Sequence, residues 1–110
     1  MAKVTFIPGS GTLAAYLSGE IDHHSAKDTM RIIGNKIDIY LPMVCVLDFR
    51  DVTFMDSSGI AIVIHAIRRM RELRGVVRVE NVPPQPMKVL KASGMERIVV
   101  IEERSMAHEV

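Results

Sequence analysis

The chain has 110 residues, of which 48% are hydrophobic and 25% are charged, and its formal net charge is +1. This length is that of one ordinary domain, and the composition is that of a folded globular protein rather than a disordered one. The small net charge excludes a global basic field of the kind that holds nucleic acid or an anionic membrane surface.

The first residues and the single cysteine indicate where the protein works. Residues 1–4 do not begin an apolar stretch like that of a signal peptide, and no run approaches the roughly 20 apolar residues of a membrane span. Cys45 is the only cysteine, and it lies in an apolar run, so we expect a buried and inert thiol. These observations predict a soluble cytoplasmic protein.

The first part of the chain predicts a β-hairpin followed by a helix. Residues 4–7 and 13–17 have the pattern of two short strands, and a turn cluster rich in glycine and proline lies between them. Apolar residues then recur every three or four positions between 26 and 41, which indicates one face of a helix. Ser25, with Asp28 three residues further on, resembles a capping box at the start of this helix.

The rest of the chain alternates strands with helices. Residues 43–49 form an apolar run broken only by Asp48, which is typical of a central strand. A charged turn at Arg50-Asp51 is predicted to separate this strand from a further apolar segment at 52–55. The remaining predicted elements are a helix at 60–73, a strand at 76–79, a short helix at 87–93 and a strand at 98–101.

This order of elements, β-β-α-β-α-β-α-β, predicts the fold class. Strands that alternate with helices in this way form an α/β domain, in which a mixed β-sheet is packed by crossover helices. No repeat or linker divides the sequence. We therefore predict a single domain over residues 1–105, followed by a disordered tail at 106–110.

The segment Asp56-Ser57-Ser58-Gly59 lies between an apolar strand and the most hydrophobic helix. Any of its three polar side chains suits a helix cap, so they fit here on structural grounds, but the helix needs only one cap. The same position exposes a serine hydroxyl to another protein's active site. A phosphate added there would meet free N–H groups at the positive end of the helix dipole. It would also place about −1.5 to −2 charges beside Asp56. The residues alone leave both interpretations open.

Three blocks of the sequence resemble a known family. They cover residues 19–26, 54–60 and 88–95, and they read GEIDHHSA, FMDSSGI and KVLKASGM. In this order they are similar to the STAS-domain anti-sigma factor antagonists, in particular to the sporulation type. The resemblance implies the STAS fold.

The resemblance also implies a mechanism. In this family the unphosphorylated antagonist binds an anti-sigma factor that is also a serine kinase, and the sigma factor is released to act in transcription. The kinase uses ATP to phosphorylate the first serine after the aspartate, here Ser57, and the antagonist then dissociates. A PP2C-type phosphatase restores it. The resemblance implies a partner-binding surface made of Asp22, His23, His24, Ser25, Asp56, Ser58 and Gly59.

Other classes of function have weaker support in the sequence. A serine hydrolase elbow needs glycine where Met55 and Asp56 stand. No phosphate-binding loop is present, because Gly9-Ser10-Gly11 lacks the following lysine. We therefore expect no enzyme activity and no cofactor. The spacing that metal ligands require is not found among His23, His24, His65 and Cys45.

Two questions stay open at this stage. Four arginines, at positions 68, 69, 71 and 74, form a basic cluster at the end of the long helix. This pattern is typical of a solvated face, and it also suits contact with an acidic partner, whereas direct nucleic-acid binding is not expected. The second question is the switch itself, since a STAS module that is a scaffold or sensor, and is never phosphorylated, is the alternative.

Overall fold

The computed structural model describes residues 2–104, so the predicted tail at 106–110 lies outside the described residues. The predicted order of strands and helices is confirmed. The strands are β1 (Ala2–Pro8), β2 (Thr12–Ile21), β3 (Val44–Met55), β4 (Val76–Val82) and β5 (Val100–Glu103). The helices are α1 (His23–Tyr40), α2 (Ser58–Glu72) and α3 (Pro84–Ala92), and a 3-10 turn follows at Met95–Arg97.

The five strands form one mixed sheet in the order β1-β2-β3-β4-β5. β1 and β2 pair as an antiparallel hairpin, whereas β2, β3, β4 and β5 run parallel to one another. Parallel neighbours need a crossover connection, and the three helices supply it. The carboxyl ends of β2, β3 and β4 therefore meet at the same edge of the sheet, and the loops after β2 and β3 carry the polar segments that the sequence singles out.

The core lies between one face of the sheet and the helices. Leu13, Ala15 and Leu17 of β2 are buried, while Tyr16 between them is exposed. This alternation is the period of a strand with one covered face. Each fully buried leucine or isoleucine stabilises the fold by roughly 1.5–3 kcal/mol relative to an exposed one. The helices α1 and α2 contribute the buried residues Ala26, Ile33, Ile37, Ile62, Val63, Ala66 and Met70.

Strand β3 is longer than predicted, and the expected turn at Arg50-Asp51 is wrong. The strand is continuous over 12 residues, and two register shifts against β2 absorb its extra residues. Bulges of this kind let a strand continue while local side chains turn outward, and both charged residues are exposed. At the second shift Gly19 adopts a φ of 83°, which carries β2 beyond its predicted end to Ile21.

Cys45 has the environment that the sequence predicts. Its thiol is fully buried in β3. Burial raises the pKa of Cys45 to about 12, because the low-dielectric core disfavours the thiolate. The side chain therefore stays protonated at neutral pH and serves as a small apolar core residue.

Helices α1 and α2 contact one another through polar as well as apolar groups. Arg69 of the basic cluster pairs with Asp38 of α1, with 3.1 Å between Nη2 and Oδ2. His65 lies beside Gly34, and its Nε2 is buried without a hydrogen-bond partner among the described residues. Burial, followed by the charges of Arg69 and Arg68, lowers the pKa of His65. Arg69 of the basic cluster therefore forms a contact within the domain.

Among residues 2–104, no helix combines the length and the apolarity needed to cross a bilayer.

A buried carboxylate joins β3 to the end of β4. Asp48 is only 5% exposed. Its side chain accepts hydrogen bonds from the Asn81 amide at 2.7 Å and from the Arg50 N–H at 2.9 Å. The Arg50 guanidinium lies 4.0 Å away and supplies a counter-charge. Regular backbone pairing between β3 and β4 ends at this residue. Beyond it, the side-chain hydrogen bond between Asp48 and Asn81 joins the two strands.

Replacing Asp48 by Ala should destabilise the domain by about 1–3 kcal/mol, because two donors lose their acceptor in a buried place. Urea unfolding measures the change. Asp28→Ala is the matched control, since the Asp28 side chain is 78% exposed and forms only a long ion pair, 3.9 Å, with Arg31 among the described residues. Its effect should stay within about 0.5 kcal/mol. Equal effects of the two variants would contradict the assigned role of Asp48.

Candidate functional site

Two loops lie side by side at the carboxyl edge of the parallel strands. Ile21 at the end of β2 and Met55 at the end of β3 are register partners. One residue further on, the Asp56 N–H donates a hydrogen bond to the Ile21 carbonyl oxygen at 3.1 Å. The loop that begins at Asp22 is therefore held directly against the loop that contains Ser57. The fold brings together the two segments that the sequence selects.

The two serines at the start of α2 have different environments. Ser57 is exposed, whereas Ser58 is half-buried. Ser57 occupies the cap position, but its φ of −63° and ψ of −16° are helical, and its side chain makes no capping hydrogen bond. The Asp56 carboxylate takes this role and accepts the Ser58 N–H at 2.8 Å. The Ser57 hydroxyl is therefore not used for capping.

The first-turn N–H groups of α2 already have acceptors. The Asp56 carboxylate holds the Ser58 N–H, and the Asp56 carbonyl accepts from Gly59 at 3.1 Å. The Ile60 N–H donates to the Ser57 carbonyl, also at 3.1 Å. The N–H groups of Ser58, Gly59 and Ile60 are therefore not free to meet a phosphate on Ser57, contrary to the expectation from the sequence.

Gly59 is buried and seats α2 on the end of β3. A Cβ at this position would overlap with the Sδ and Cγ atoms of Met55, which is itself fully buried. Only a residue without a side chain allows the helix to start at this distance from the strand. Packing inside the domain thus accounts for this glycine.

Asp22 caps α1 in the neighbouring loop. Its Oδ1 accepts the N–H groups of His24 at 2.9 Å and Ser25 at 3.0 Å, and the Ser25 hydroxyl oxygen accepts the Asp22 N–H at 3.1 Å. This is a reciprocal capping box. The predicted box starting at Ser25 is wrong by one turn, because the backbone is extended at Asp22 and already helical at Ser25. The Ser25 N–H is the largest cause that lowers the pKa of Asp22, and that of His24 adds to it.

The predicted site residues fall into three groups by exposure. His23 and His24 are exposed and stack edge to face, with ring centroids 5.7 Å apart. They and Ser57 form the outward part of the site. No three His, Cys, Asp or Glu side chains within residues 2–104 are grouped as a metal site. The half-buried members are Asp22, Ser25, Asp56 and Ser58, and Gly59 is buried.

Helix α3 completes the site, and sequence reasoning missed this. The Gln85 side-chain amide accepts the Met55 N–H and donates to the Met55 carbonyl, both at 2.8 Å. At the end of β3, the side chain thus makes the two hydrogen bonds that the backbone of a neighbouring strand would otherwise make. The sequence feature that could have indicated this contact is a single glutamine among three prolines.

A groove of about 430 Å³ lies between α2 and α3. It is lined by Ser57, Ile60, Lys88, Val89, Ala92 and Ser93.

Comparison with known proteins agrees with this geometry. Residues 3–107 match the model of the STAS domain, and the chain belongs to this family. The resemblance read from the three sequence blocks is confirmed. An anti-sigma F factor antagonist from Paenibacillus polymyxa is 28% identical over 96 residues, which cover 87% of this chain and 82% of the relative.

Two solved structures of a similar protein share the fold. The anti-sigma factor antagonist SpoIIAA in its unphosphorylated form has a TM-score of 0.79 at 23% identity, over 97% of this chain and 92% of that one. The Bacillus cell fate determinant SpoIIAA in its phosphorylated form has a TM-score of 0.70 at 23% identity, over 97% and 96% of the two chains. The single α/β domain is thus of the STAS type.

Gly59→Ala should destabilise the domain by about 1–3 kcal/mol, because the added methyl group overlaps with Met55 in a filled core. An unhindered glycine inside a helix instead gains about 1 kcal/mol from the same change. The sign of the effect in urea unfolding therefore reports the overlap. In a Met55→Ala background, Gly59→Ala should no longer lower the free energy of unfolding, because the Met55 atoms that the new methyl group overlaps are gone. A stabilising Gly59→Ala change in the wild-type background would contradict the packing role.

The contribution of Asp22 to stability should be complete at pH 7 and should fall under acid conditions. Its folded pKa lies below the ordinary value of about 3.9, so the unfolded state binds the proton more tightly. The difference in unfolding free energy between wild type and Asp22→Ala should be constant above about pH 5 and shrink below about pH 4. Asp28→Ala is the control. An unchanged Asp22 difference at pH 3 would overturn the capping assignment.

Proposed function

We propose that this chain is an anti-sigma factor antagonist, switched by phosphorylation of Ser57. The unphosphorylated protein binds an anti-sigma factor that is also a serine kinase and so releases a sigma factor for transcription. The observation that carries the proposal is the exposed Ser57 hydroxyl, which capping leaves unused. The name of the Paenibacillus polymyxa relative, an anti-sigma F factor antagonist, supports the same class.

The site suits a phosphoryl acceptor rather than a catalyst. The Ser57 Oγ attacks the γ-phosphorus of ATP bound by the partner, ADP leaves, and the hydroxyl proton passes to a base of the partner. This chain has only to present an accessible hydroxyl in a fixed position. Two contacts fix the loop: the hydrogen bond between Asp56 and Ile21, and the clamp of Gln85 on Met55.

The geometry favours Ser57 over its neighbour as the acceptor. Ser58 is half-buried, and the Asp56 carboxylate holds its N–H. Ser58 is therefore less accessible to a kinase than Ser57. The Ser57 side chain already lies at the surface.

Phosphate on Ser57 would end binding by charge and by volume. It adds about −1.5 to −2 charges beside the Asp56 carboxylate, which concentrates negative charge at the contact surface. The neighbouring first turn of α1 contributes the exposed pair His23 and His24 to the same surface. A PP2C-type phosphatase would restore binding by hydrolysing the phosphate. SpoIIAA, which has this fold, has been solved in phosphorylated and unphosphorylated forms.

Binding to the purified cognate anti-sigma factor, measured by calorimetry, tests the switch. Ser57→Ala should bind like wild type, because the hydroxyl itself contributes little. Ser57→Asp should bind at least about tenfold more weakly, a loss of about 1.4 kcal/mol, because it places a fixed charge at the contact. Ser10→Asp is the matched control, since Ser10 is an exposed serine in the turn between β1 and β2.

The outcomes separate the two interpretations of the fold. Loss of binding in Ser57→Asp alone supports the switch. Tight binding by Ser57→Asp would sink it, and would favour a STAS scaffold or sensor that is never phosphorylated.

A further inference from the structure

We propose that Lys88 is the counter-charge for a phosphate on Ser57, and that it holds this phosphate as a dianion in the groove between α2 and α3. The inference rests on the proposed function, because it concerns the phosphorylated state of the same serine. It adds a residue of α3 to a switch that otherwise consists of two loops.

Three N–H groups at the start of α2 are not vacant for the phosphate. Its N–H groups at Ser58, Gly59 and Ile60 are bonded to the carboxylate or carbonyl of Asp56, or to the Ser57 carbonyl. Breaking one of these bonds would leave its acceptor unpaired, which costs free energy. The phosphate is therefore better stabilised by a side-chain cation than by the helix terminus.

The groove beside Ser57 contains one such cation. Of its lining residues only Lys88 is charged, and Ile60, Val89 and Ala92 are apolar. The Ser93 hydroxyl already donates to the Leu90 carbonyl at 2.7 Å. Lys88 is exposed and forms no ion pair with another described residue. Its ammonium group is thus available to a new anion.

Gln85 determines where Lys88 stands. Positions 85 and 88 are three residues apart on α3, so their side chains share one face of the helix. Because Gln85 is bonded to both backbone groups of Met55, that face is held against the end of β3. Ser57 follows only two residues after Met55. The clamp therefore presents Lys88 to the loop that carries the acceptor.

The charged groups around the phosphate have opposite effects on its second ionisation. Asp56 lies next to Ser57 on the chain, and Asp22 lies across the backbone hydrogen bond between the loops; both disfavour a second negative charge on the phosphate. Neighbouring His24 is exposed on the α1 side. Lys88 from α3 favours the dianion. Free phosphoserine loses its second proton near pH 6, so the balance of these charges sets how negative the switch is at neutral pH.

The test uses protein with phosphoserine incorporated genetically at position 57, so that no kinase is needed. Phosphorus NMR follows the phosphate through a pH titration in the otherwise wild-type protein, in Lys88→Gln and in Lys91→Gln. Lys91 is the matched control, a lysine on the same helix that does not line the groove. Lys88→Gln should raise the second pKa of the phosphate by about 0.3 unit.

The control variant should leave this pKa unchanged, and 1 M salt should reduce the effect of Lys88→Gln, because it screens the pair. Equal pKa values with and without Lys88 would overturn the proposal, and so would an equal shift in Lys91→Gln. A failure of the proposed function looks different. In that case a kinase leaves Ser57 unmodified, while the titration of the encoded phosphoserine still gives its answer on Lys88.

Discussion

The hydrogen bond from the Asp56 N–H to the Ile21 carbonyl extends the parallel pairing of β2 with β3 by one step beyond their last register pair. The pairing of β2 with β3 brings the segments after Ile21 and Met55 side by side, and this contact holds the two helix starts against each other at the edge of the sheet. With it, they form one surface whose backbone is fixed by the sheet beneath.

At each of the two helix starts, one polar side chain caps the helix and another is exposed to solvent. Asp22 and Asp56 accept N–H groups at the starts of α1 and α2. Because the aspartates satisfy these donors, the histidine pair and Ser57 are left facing solvent. This division explains why three cap-forming side chains precede a helix that needs one cap. It also explains why the Ser57 hydroxyl makes no capping bond at a position where a serine side chain usually makes one.

Much of the fold follows from hydrophobic periodicity, but the ends of its elements do not. The alternation around Leu13 and the three- to four-residue spacing around Ile33 predict a strand and a helix, and both are present. Strand β3 passes through Arg50-Asp51 because bulges turn these charges outward, and a bulge leaves no periodic signal. Helix α3 begins earlier than predicted because Pro84 is tolerated in a first helical turn.

The site was predictable to the extent that its residues are local in sequence. The blocks around Asp22 and Ser57 resemble a family pattern, whereas capping chemistry alone places the start of α1 at Ser25 instead of Asp22. Gln85 could not be found in this way, because its contacts with Met55 join positions 30 residues apart. The role of Gln85 depends on how α3 lies against β3, which composition and spacing do not encode. Such contacts also separate Ser57 from Ser58, since exposure is a property of the packed domain.

Locating the phosphate after reaction with the cognate kinase tests the central claim most directly. The purified protein is incubated with the anti-sigma factor and ATP, digested, and analysed by mass spectrometry of the peptide that spans both serines. The account predicts a single phosphate on Ser57 and no incorporation into Ser57→Ala. Phosphate on Ser58, or incorporation that persists in Ser57→Ala, would contradict it.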